Sequence, residues 1–295
     1  MGTPAPQSAE TLVQLVLRAY RNDPLIQTED DWGALGAIAA RTLFWCGGAI
    51  YACRCEGNEM RFALQVLYAP LGTYAHQIAG LYAIHLRRTR EISGRIFRHY
   101  SAIPTDEVFL DDLVLWLHRS ESIKSTRVWT ADSAYLKPNS MPWISTDRVL
   151  SELSIGAPGP ATYRRRRSEA ISPQSIERFT RRAPARLGRA EADVRSVADA
   201  ARPSLETISR LVAKYCQVSY QDMLTDTRKR ALSKARVIAT VLATRNGATA
   251  ASAARWFNRS RSALIEQVEH YRLTQPDMFE EAESRLESAL AAARA

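Results

Sequence analysis

Hydrophobic and polar residues follow a strand-like pattern in three stretches of the first half of the chain, residues 12–20, 49–55 and 61–68. Successive side chains of a strand point to opposite faces, so these stretches predict β-strands. The second and third stretches flank Glu56-Gly57-Asn58, which predicts a turn between two paired antiparallel strands.

Helical spacing of apolar residues appears in residues 29–44, 73–89 and 106–117. Thr28 is placed to cap the first of these helices, and Gly47-Gly48 is placed to end it. The order strand, helix, strand, strand, helix predicts an α+β fold with an antiparallel sheet.

A cluster of glycine and proline follows this first domain, which we assign to residues 1–155. Residues 156–203 lose the strand pattern and become rich in arginine, which predicts a linker with one helical piece near 173–182. Residues 204–275 predict an all-helical domain. The Glu-, Ala- and Arg-rich residues 276–295 predict a solvent-exposed terminal helix.

The pattern within the second domain is that of a DNA-binding helix-turn-helix. The basic run Thr227–Arg236 opens a long predicted helix that ends at Asn246-Gly247. Two short helical patterns follow, at 249–257 and 261–272, with small residues between them. A basic helix followed by such a helix pair is typical of proteins that bind duplex DNA.

The positive charge is concentrated in the same part of the chain. Residues 1–159 hold 15 Lys and Arg against 16 Asp and Glu, whereas residues 160–275 hold 23 against 10. Residues 276–295 hold 2 against 5, and the whole chain has a net charge of +9. The second half is therefore expected to meet a polyanion.

Several other classes of function find no support in the sequence. No stretch approaches the roughly 18 apolar residues that a membrane span needs, and the first residues lack a secretory pattern, so a cytoplasmic protein with no membrane partner is expected. The four cysteines have no zinc-site spacing and are expected to be reduced: Cys46, Cys53, Cys55 and Cys216. We expect no cofactor.

The second domain resembles domain IV of the bacterial replication initiator DnaA over about 70 residues. Three motifs carry the resemblance: Val218-Ser219 with Met223-Leu224, Thr227–Arg230 with Ala235-Arg236, and Phe257–Leu264. The family's Asp-His pair is replaced by Ser260-Arg261, and its second Thr by Ala263. A target other than a replication origin is therefore expected.

The resemblance implies a set of DNA-contacting residues. It implies that Arg228 enters the minor groove, that Lys234 and Arg236 contact the backbone or flanking bases, and that residues 260–263 face the major groove. Arg261 has the chemistry to bind guanine through two hydrogen bonds. The full candidate set is Arg228, Lys229, Arg230, Lys234, Arg236, Thr249, Asn258, Arg259, Ser260, Arg261 and Ser262.

The first domain resembles the REP-associated tyrosine transposases of the Y1 (HUH) class, which implies a ferredoxin-like antiparallel sheet with helices. The resemblance runs from about Leu12 to Leu150. Its landmarks occur in family order: Tyr20–Asn22, Asp30-Asp31, Gly72-Thr73, Gly80–Arg88, Gly94–Tyr100, Phe109–His118, Tyr135-Leu136 and Pro142–Leu150.

The residues that carry the chemistry of that family are replaced in this chain. The family needs two histidines, two positions apart on a strand, to hold a divalent metal, and a tyrosine on a facing helix to attack the phosphate. The matching positions hold Glu59, Arg61 and Trp116. Arginine does not ligate a metal and indole is not a nucleophile, so we expect neither a metal site nor catalysis.

Our interpretation is a sequence-specific binder of double-stranded DNA, a transcriptional regulator at promoters that derives from an inactivated transposase. For the first domain, two roles stay open: it binds a DNA hairpin or single strand, or it forms a homodimer. Three alternatives stay open for the whole chain: an active transposase that uses non-standard residues, a replication or copy-control factor, and an RNA- or chaperone-type binder that relies on charge alone.

Overall fold

The computed structural model describes residues 11–66, 71–98, 100–119, 127–137, 139–153, 159–180 and 203–293. The chain divides into two compact units, residues 1–189 and 190–295. The first unit is α+β with an antiparallel sheet, as predicted, and the described residues of the second unit form only helices and their connections. No helix among the described residues combines the length and apolar character needed to cross a bilayer.

The sheet of the first unit has five antiparallel strands in the order β4-β1-β3-β2-β5. Their bounds are β1 Thr11–Arg18, β2 Ala49–Glu56, β3 Glu59–Val66, β4 Ser101–Pro104 and β5 Val128–Thr130. The three predicted strands are confirmed, although positions 67 and 68 of the third lie outside the described residues. β4 and β5 were not predicted, because three or four residues are too few to show an alternation.

One face of the sheet is apolar and carries the main core of the first unit. Leu15, Phe62 and Cys53 lie side by side on β1, β3 and β2, and each is fully buried. α1 (Glu29–Cys46) lies on this face, where its Trp32 stacks on Trp129 of β5 with ring centroids 6.0 Å apart. α2 (Leu71–Arg90) packs against α1 and β1.

The predicted ends of α1 are confirmed. The Thr28 hydroxyl oxygen accepts the Asp31 N–H at 3.1 Å, and the Asp31 carboxylate accepts the Thr28 N–H at 3.2 Å, so the two residues form a capping box. Gly47 and Gly48 end the helix with φ angles of 70° and 91°. Both angles lie in the region that favours glycine.

The opposite face of the sheet carries both polar and apolar side chains and is covered by α3 (Leu110–His118), which follows a 3₁₀ turn at Glu107–Phe109. The predicted helix at 106–117 is therefore split at its start. Four more helices complete the described part of the unit: α4 Ser133–Leu136, α5 Asp147–Glu152, α6 Pro160–Ser168 and α7 Pro173–Thr180.

The first unit continues beyond the boundary predicted at residue 155. α6 and α7 lie in the stretch predicted as a linker, yet both pack against α3. Tyr163 of α6 is fully buried and stacks on Tyr135 of α4 with centroids 4.7 Å apart. The arginines of this stretch concealed the few apolar residues that anchor it. The rest of the predicted linker, residues 181–202, lies outside the described residues.

The second unit is built around one long central helix. Its described helices are α8 Leu205–Tyr215, α9 Tyr220–Leu224, α10 Arg230–Arg245, α11 Ala250–Trp256, α12 Arg261–Thr274 and α13 Asp277–Ala292. Every residue from 235 to 243 of α10 is buried, because α8, α11, α12 and α13 all pack on this helix.

The terminal helix α13 belongs to the core of the second unit, which corrects the predicted solvent-exposed helix. It packs on α8 and α10. Its buried residues are Met278, Phe279, Ala282, Leu286 and Leu290. From Phe279 onwards they are spaced three to four residues apart and form an apolar stripe. The surrounding Glu and Ala residues made this stripe inconspicuous in the sequence. Glu283 of this helix pairs with Arg245 of α10.

Candidate nucleic-acid interface

The basic run of the second unit lies partly in a loop. α10 begins at Arg230, Lys229 occupies the N-cap position without a capping side-chain bond, and Arg228 precedes it. This corrects the predicted helix start at Thr227. Residues 225–229 are here called the basic loop. Arg228, Lys229 and Arg230 are exposed and form no ion pair with any residue that the structure describes.

Arg236 holds the basic loop from beneath and is not a surface residue. Its side chain is 2% exposed. Four backbone carbonyl oxygens accept hydrogen bonds from its guanidinium at 2.7 to 3.0 Å, those of Asp222, Met223, Thr225 and Thr227. Burial, and then the positive charge of Arg259, lower its pKa. The structure does not present Arg236 for the predicted DNA contact, since the side chain is buried and four of its five N–H groups bind carbonyls.

Arg259 holds the same loop from the side of the α11–α12 connection. Its Nη1 lies 2.6 Å from the Asp226 carboxylate, and its Nη2 donates to the Thr227 carbonyl at 3.1 Å. Its side chain is therefore used within the protein, although it was predicted to contact DNA. The two bonds bring the basic loop next to the connection at residues 257–260.

The α11–α12 connection is compact and well capped. Thr249 forms a capping box with Ser252 at the start of α11. Asn258 adopts a φ of 50°, a conformation that asparagine tolerates better than most residues. The Ser260 hydroxyl oxygen accepts the Ala263 N–H at 3.2 Å and caps α12. The oxygens of Thr249 and Ser260 thus have structural roles. The Thr249 hydroxyl also donates to the Ser252 hydroxyl oxygen at 3.2 Å, whereas the Ser260 hydroxyl proton can still be donated.

The first turn of α12 is presented to solvent. Arg261 and Ser262 are exposed, and Arg261 has no ion-pair partner within the described ranges. Beneath them, Leu264 packs against Ala253 and Ala254 of α11, all at most 2% exposed. The small alanine side chains let α11 and α12 approach closely.

Lys234 lies on another side of α10. Its ammonium is close enough to Cys216, just after α8, to favour the thiolate, although burial is the larger effect and leaves the pKa of that thiol raised. Through Arg259, the structure places the basic loop next to the α11–α12 connection, which holds Asn258 and Ser260. Arg228 and Arg230 lie beside the second half of α12, whereas Arg261 and Ser262 lie at its start. The structure places Lys234 near the end of α8.

The cations among the described residues of the second unit fall into two groups. Four of them pair with glutamates: Arg210, Arg245, Arg272 and Arg285. Two more, Arg236 and Arg259, bond to the basic loop or the turn before it. Seven have no ion-pair partner in the described part of the chain: Lys214, Arg228, Lys229, Arg230, Lys234, Arg255 and Arg261. Four of these seven belong to the basic loop or to the first turns of α10 and α12.

In the first unit, Arg61 contacts both Glu59 and Trp116, the other two residues at the positions that the resemblance to transposases singled out. The Arg61 guanidinium pairs with Glu59 on the same strand and lies over the Trp116 ring of α3, 5.2 Å from its centroid. Arg18 pairs with Glu59 as well. No group of three or more potential metal ligands occurs among the described residues.

α7 covers this cluster. Phe179 of α7 lies 5.7 Å from the Trp116 ring. With its amide oriented to satisfy both neighbours, buried Gln14 accepts from Arg61 at 2.8 Å and donates to the Phe179 carbonyl at 3.1 Å. The guanidinium of Arg61 therefore fills the space between strand β3 and helix α3 with aromatic, amide and ionic contacts.

A basic and aromatic patch of the first unit was missed by the sequence analysis. Tyr20 is 44% exposed, and the guanidiniums of Arg95 and Arg98 lie over its ring at 5.6 and 5.4 Å. Exposed Arg18 and Arg21 flank it in sequence. The net charge summed over residues 1–159 is close to zero and therefore concealed this local patch. The density of arginine between residues 87 and 98 could have indicated it.

A buried histidine was also missed. The Nδ1 atom of His118 lies 2.7 Å from the Tyr163 hydroxyl, and its Nε2 has no hydrogen-bond partner among the described residues. Burial, then the charges of Arg167 and Arg54, lower its pKa to about 3. This histidine is neutral at physiological pH.

No protein-family model, curated protein or solved structure matches this chain.

Proposed function

We propose that the chain is a sequence-specific double-stranded DNA-binding protein that regulates transcription. The observation that carries the proposal is the basic loop. Arg228, Lys229 and Arg230 are exposed without acidic partners in the described chain, while Arg236 and Arg259 hold that loop next to the start of α12. A surface built this way attracts the phosphate backbone of a duplex.

In this proposal α11 and α12 act as a helix-turn-helix. The four residues from 257 to 260 that connect them match the length of such a turn. α12 is the recognition helix, and its 14 residues span about 21 Å, long enough to lie in the major groove. Arg261 and Ser262 then face the base edges, and Arg261 donates to O6 and N7 of guanine.

The basic loop supplies the contacts that carry no sequence information. A cation at a helix start is unfavourable against the helix dipole, and Arg230 and Lys229 both occupy such positions. A nearby phosphate compensates for this cost. Arg228, which precedes them, enters the minor groove or contacts a phosphate beside it.

For the first unit we propose an inactivated, ferredoxin-like transposase domain. The support is the contact of Arg61 with Glu59 and Trp116, which fills the position of a metal site and its nucleophile with side chains that perform neither role. The exposed ring of Tyr20 supports the hypothesis that this domain still binds single-stranded DNA. An exposed ring flanked by Arg95 and Arg98 suits the stacking of a base.

The proposed regulatory role is tested by mapping the bound sites of the full chain in cells by chromatin immunoprecipitation and sequencing. Peaks at promoters that share one motif are expected, and the Arg261→Ala variant should lose them while retaining its fold. Peaks confined to a replication origin would favour the replication alternative instead. A profile without a shared motif would contradict sequence-specific binding.

A further inference from the structure

A groove of about 470 Å³, lined by residues with polar side-chain groups, lies between the start of α10 and the second half of α12. Arg228 and Arg230 line one side, and Gln267, His270 and Thr274 line the other. No carboxylate is among the described residues that line it. The volume falls within the range of about 300 to 1,000 Å³ that is typical of small-molecule sites.

The hydrogen-bonding groups of the groove are mainly donors. Each arginine offers five N–H groups, and neither arginine has an ion-pair partner in the described chain. The Ser233 hydroxyl donates to the Gln267 side-chain oxygen at 3.1 Å, which leaves the Gln267 amide N–H groups available. The Thr274 hydroxyl donates to the His270 carbonyl at 2.8 Å, so it keeps only its acceptor function.

We propose that this groove binds the phosphate group of a nucleotide-sized phosphorylated ligand. Two arginines at one side of a donor-rich groove match phosphate, because the planar guanidinium binds two phosphate oxygens at once. The remaining volume, bordered by the His270 ring, accommodates a sugar or nucleoside group.

The phosphate has two sources, a free phosphorylated ligand or the strand of a bound duplex. Arg228 and Arg230 also belong to the surface proposed to bind DNA, so a free ligand in the groove and the duplex compete for the same side chains. This competition rests on the proposed function, whereas binding of the phosphate does not.

The test is calorimetric titration of the full chain with 2′-deoxyadenosine 5′-monophosphate. Arg230→Ala should weaken binding roughly tenfold, the effect of one charge-assisted hydrogen-bonding group. Gln267→Glu keeps the size of the side chain, places a negative charge in the groove and should weaken binding by at least as much. Arg255→Ala is the matched control, because Arg255 is exposed and unpaired among the described residues but does not line the groove.

Binding that is lost in the first two variants and kept in the control is the expected result. Absence of binding to the unaltered chain, or equal weakening by Arg255→Ala, would overturn the proposal, since the attraction would then reflect net charge alone.

A second titration separates the two sources. Saturating nucleotide should raise the Kd of the duplex target. If the nucleotide binds and the Kd of the duplex is unchanged, the shared use of the two arginines is overturned and the groove serves a free ligand. If the nucleotide binds but no duplex does, the proposed function fails while the phosphate site stands.

Discussion

The Arg236 guanidinium donates to the Thr227 carbonyl oxygen at 2.8 Å, from a position in the second turn of α10. The same oxygen accepts from Arg259, which lies in the connection before α12. One carbonyl therefore joins the central helix, the basic loop and the start of α12. This arrangement explains how a loop with two exposed cations, followed by a third at the start of α10, keeps a defined position beside the proposed recognition helix.

Arg236→Ala should destabilise the second unit by about 3 kcal/mol or more, because it leaves several carbonyls without their charged donor. Arg236→Lys should rescue little, since an ammonium does not reproduce the planar fork that contacts four carbonyls. Urea unfolding measures both effects. The control is Arg285→Ala, which removes an exposed pair with Glu281 worth about 0.5 kcal/mol. Equal stability of the Arg236 and Arg285 variants would contradict a structural role for Arg236.

Arg261→Ala should lose discrimination at one or two base pairs of the target, by roughly 1–3 kcal/mol, because a bidentate contact with guanine disappears. Arg228→Ala should instead weaken binding to all sequences alike and reduce the slope of log K against log salt by about 1. Fluorescence anisotropy with the target duplex and its single-base variants measures both. If both variants bound every duplex as the unaltered chain does, the assignment of the interface would be wrong.

The stability of the first unit should fall as the pH drops from 6.5 towards 3. His118 is neutral in the folded state, where its pKa is about 3, and it takes up a proton when unfolded below about 6.5. The unfolded state binds more protons in this window, so acid favours unfolding, with a slope of up to about 1.4 kcal/mol per pH unit.

Between pH 4 and 6, the stability of His118→Asn should change less steeply with pH than that of the unaltered chain, as measured by unfolding midpoints. This window lies between the reference pKa values of carboxyl and imidazole groups. His270→Asn is the control, because His270 lies in the second unit and the slope measured is that of the first unit. Identical slopes for the unaltered chain and the His118 variant would show that His118 does not set the pH dependence.

Hairpin or single-stranded DNA with Mg²⁺ or Mn²⁺ should be neither nicked nor joined covalently to the protein. Arg61 does not hold a metal, and Trp116 offers no oxygen to attack the phosphate. Denaturing electrophoresis and mass spectrometry detect a phosphotyrosine adduct directly. An adduct on any tyrosine would establish an active transposase that uses non-standard residues.

The local pattern of the sequence predicted most elements of the fold. Thr28, Ser204, Thr249 and Ser260 each precede a helix, and the hydroxyl of each accepts a backbone N–H of the first turn. Such signals are local, because a cap depends on residues only three positions away. The strands β1 to β3 were predictable for the same reason.

The direction of individual charged side chains was not predictable in this way. Arg236 belongs to a basic run and was expected at the surface, but the carbonyls of the preceding loop offer it a buried site. Arg259 is drawn to Asp226, 33 positions away, a contact that depends on the packing of α11 and α12. Tertiary contacts therefore decided which cations remain available to a ligand.

The central claim, sequence-specific binding of duplex DNA, is tested most directly by selection of the full chain against random duplexes, followed by measurement of Kd for the selected and scrambled sequences at one salt concentration. One enriched motif is predicted, bound at least about 10³-fold more tightly than scrambled DNA, with Arg261→Ala reducing this ratio. No enriched motif, and equal affinities that fall alike with salt, would contradict the claim.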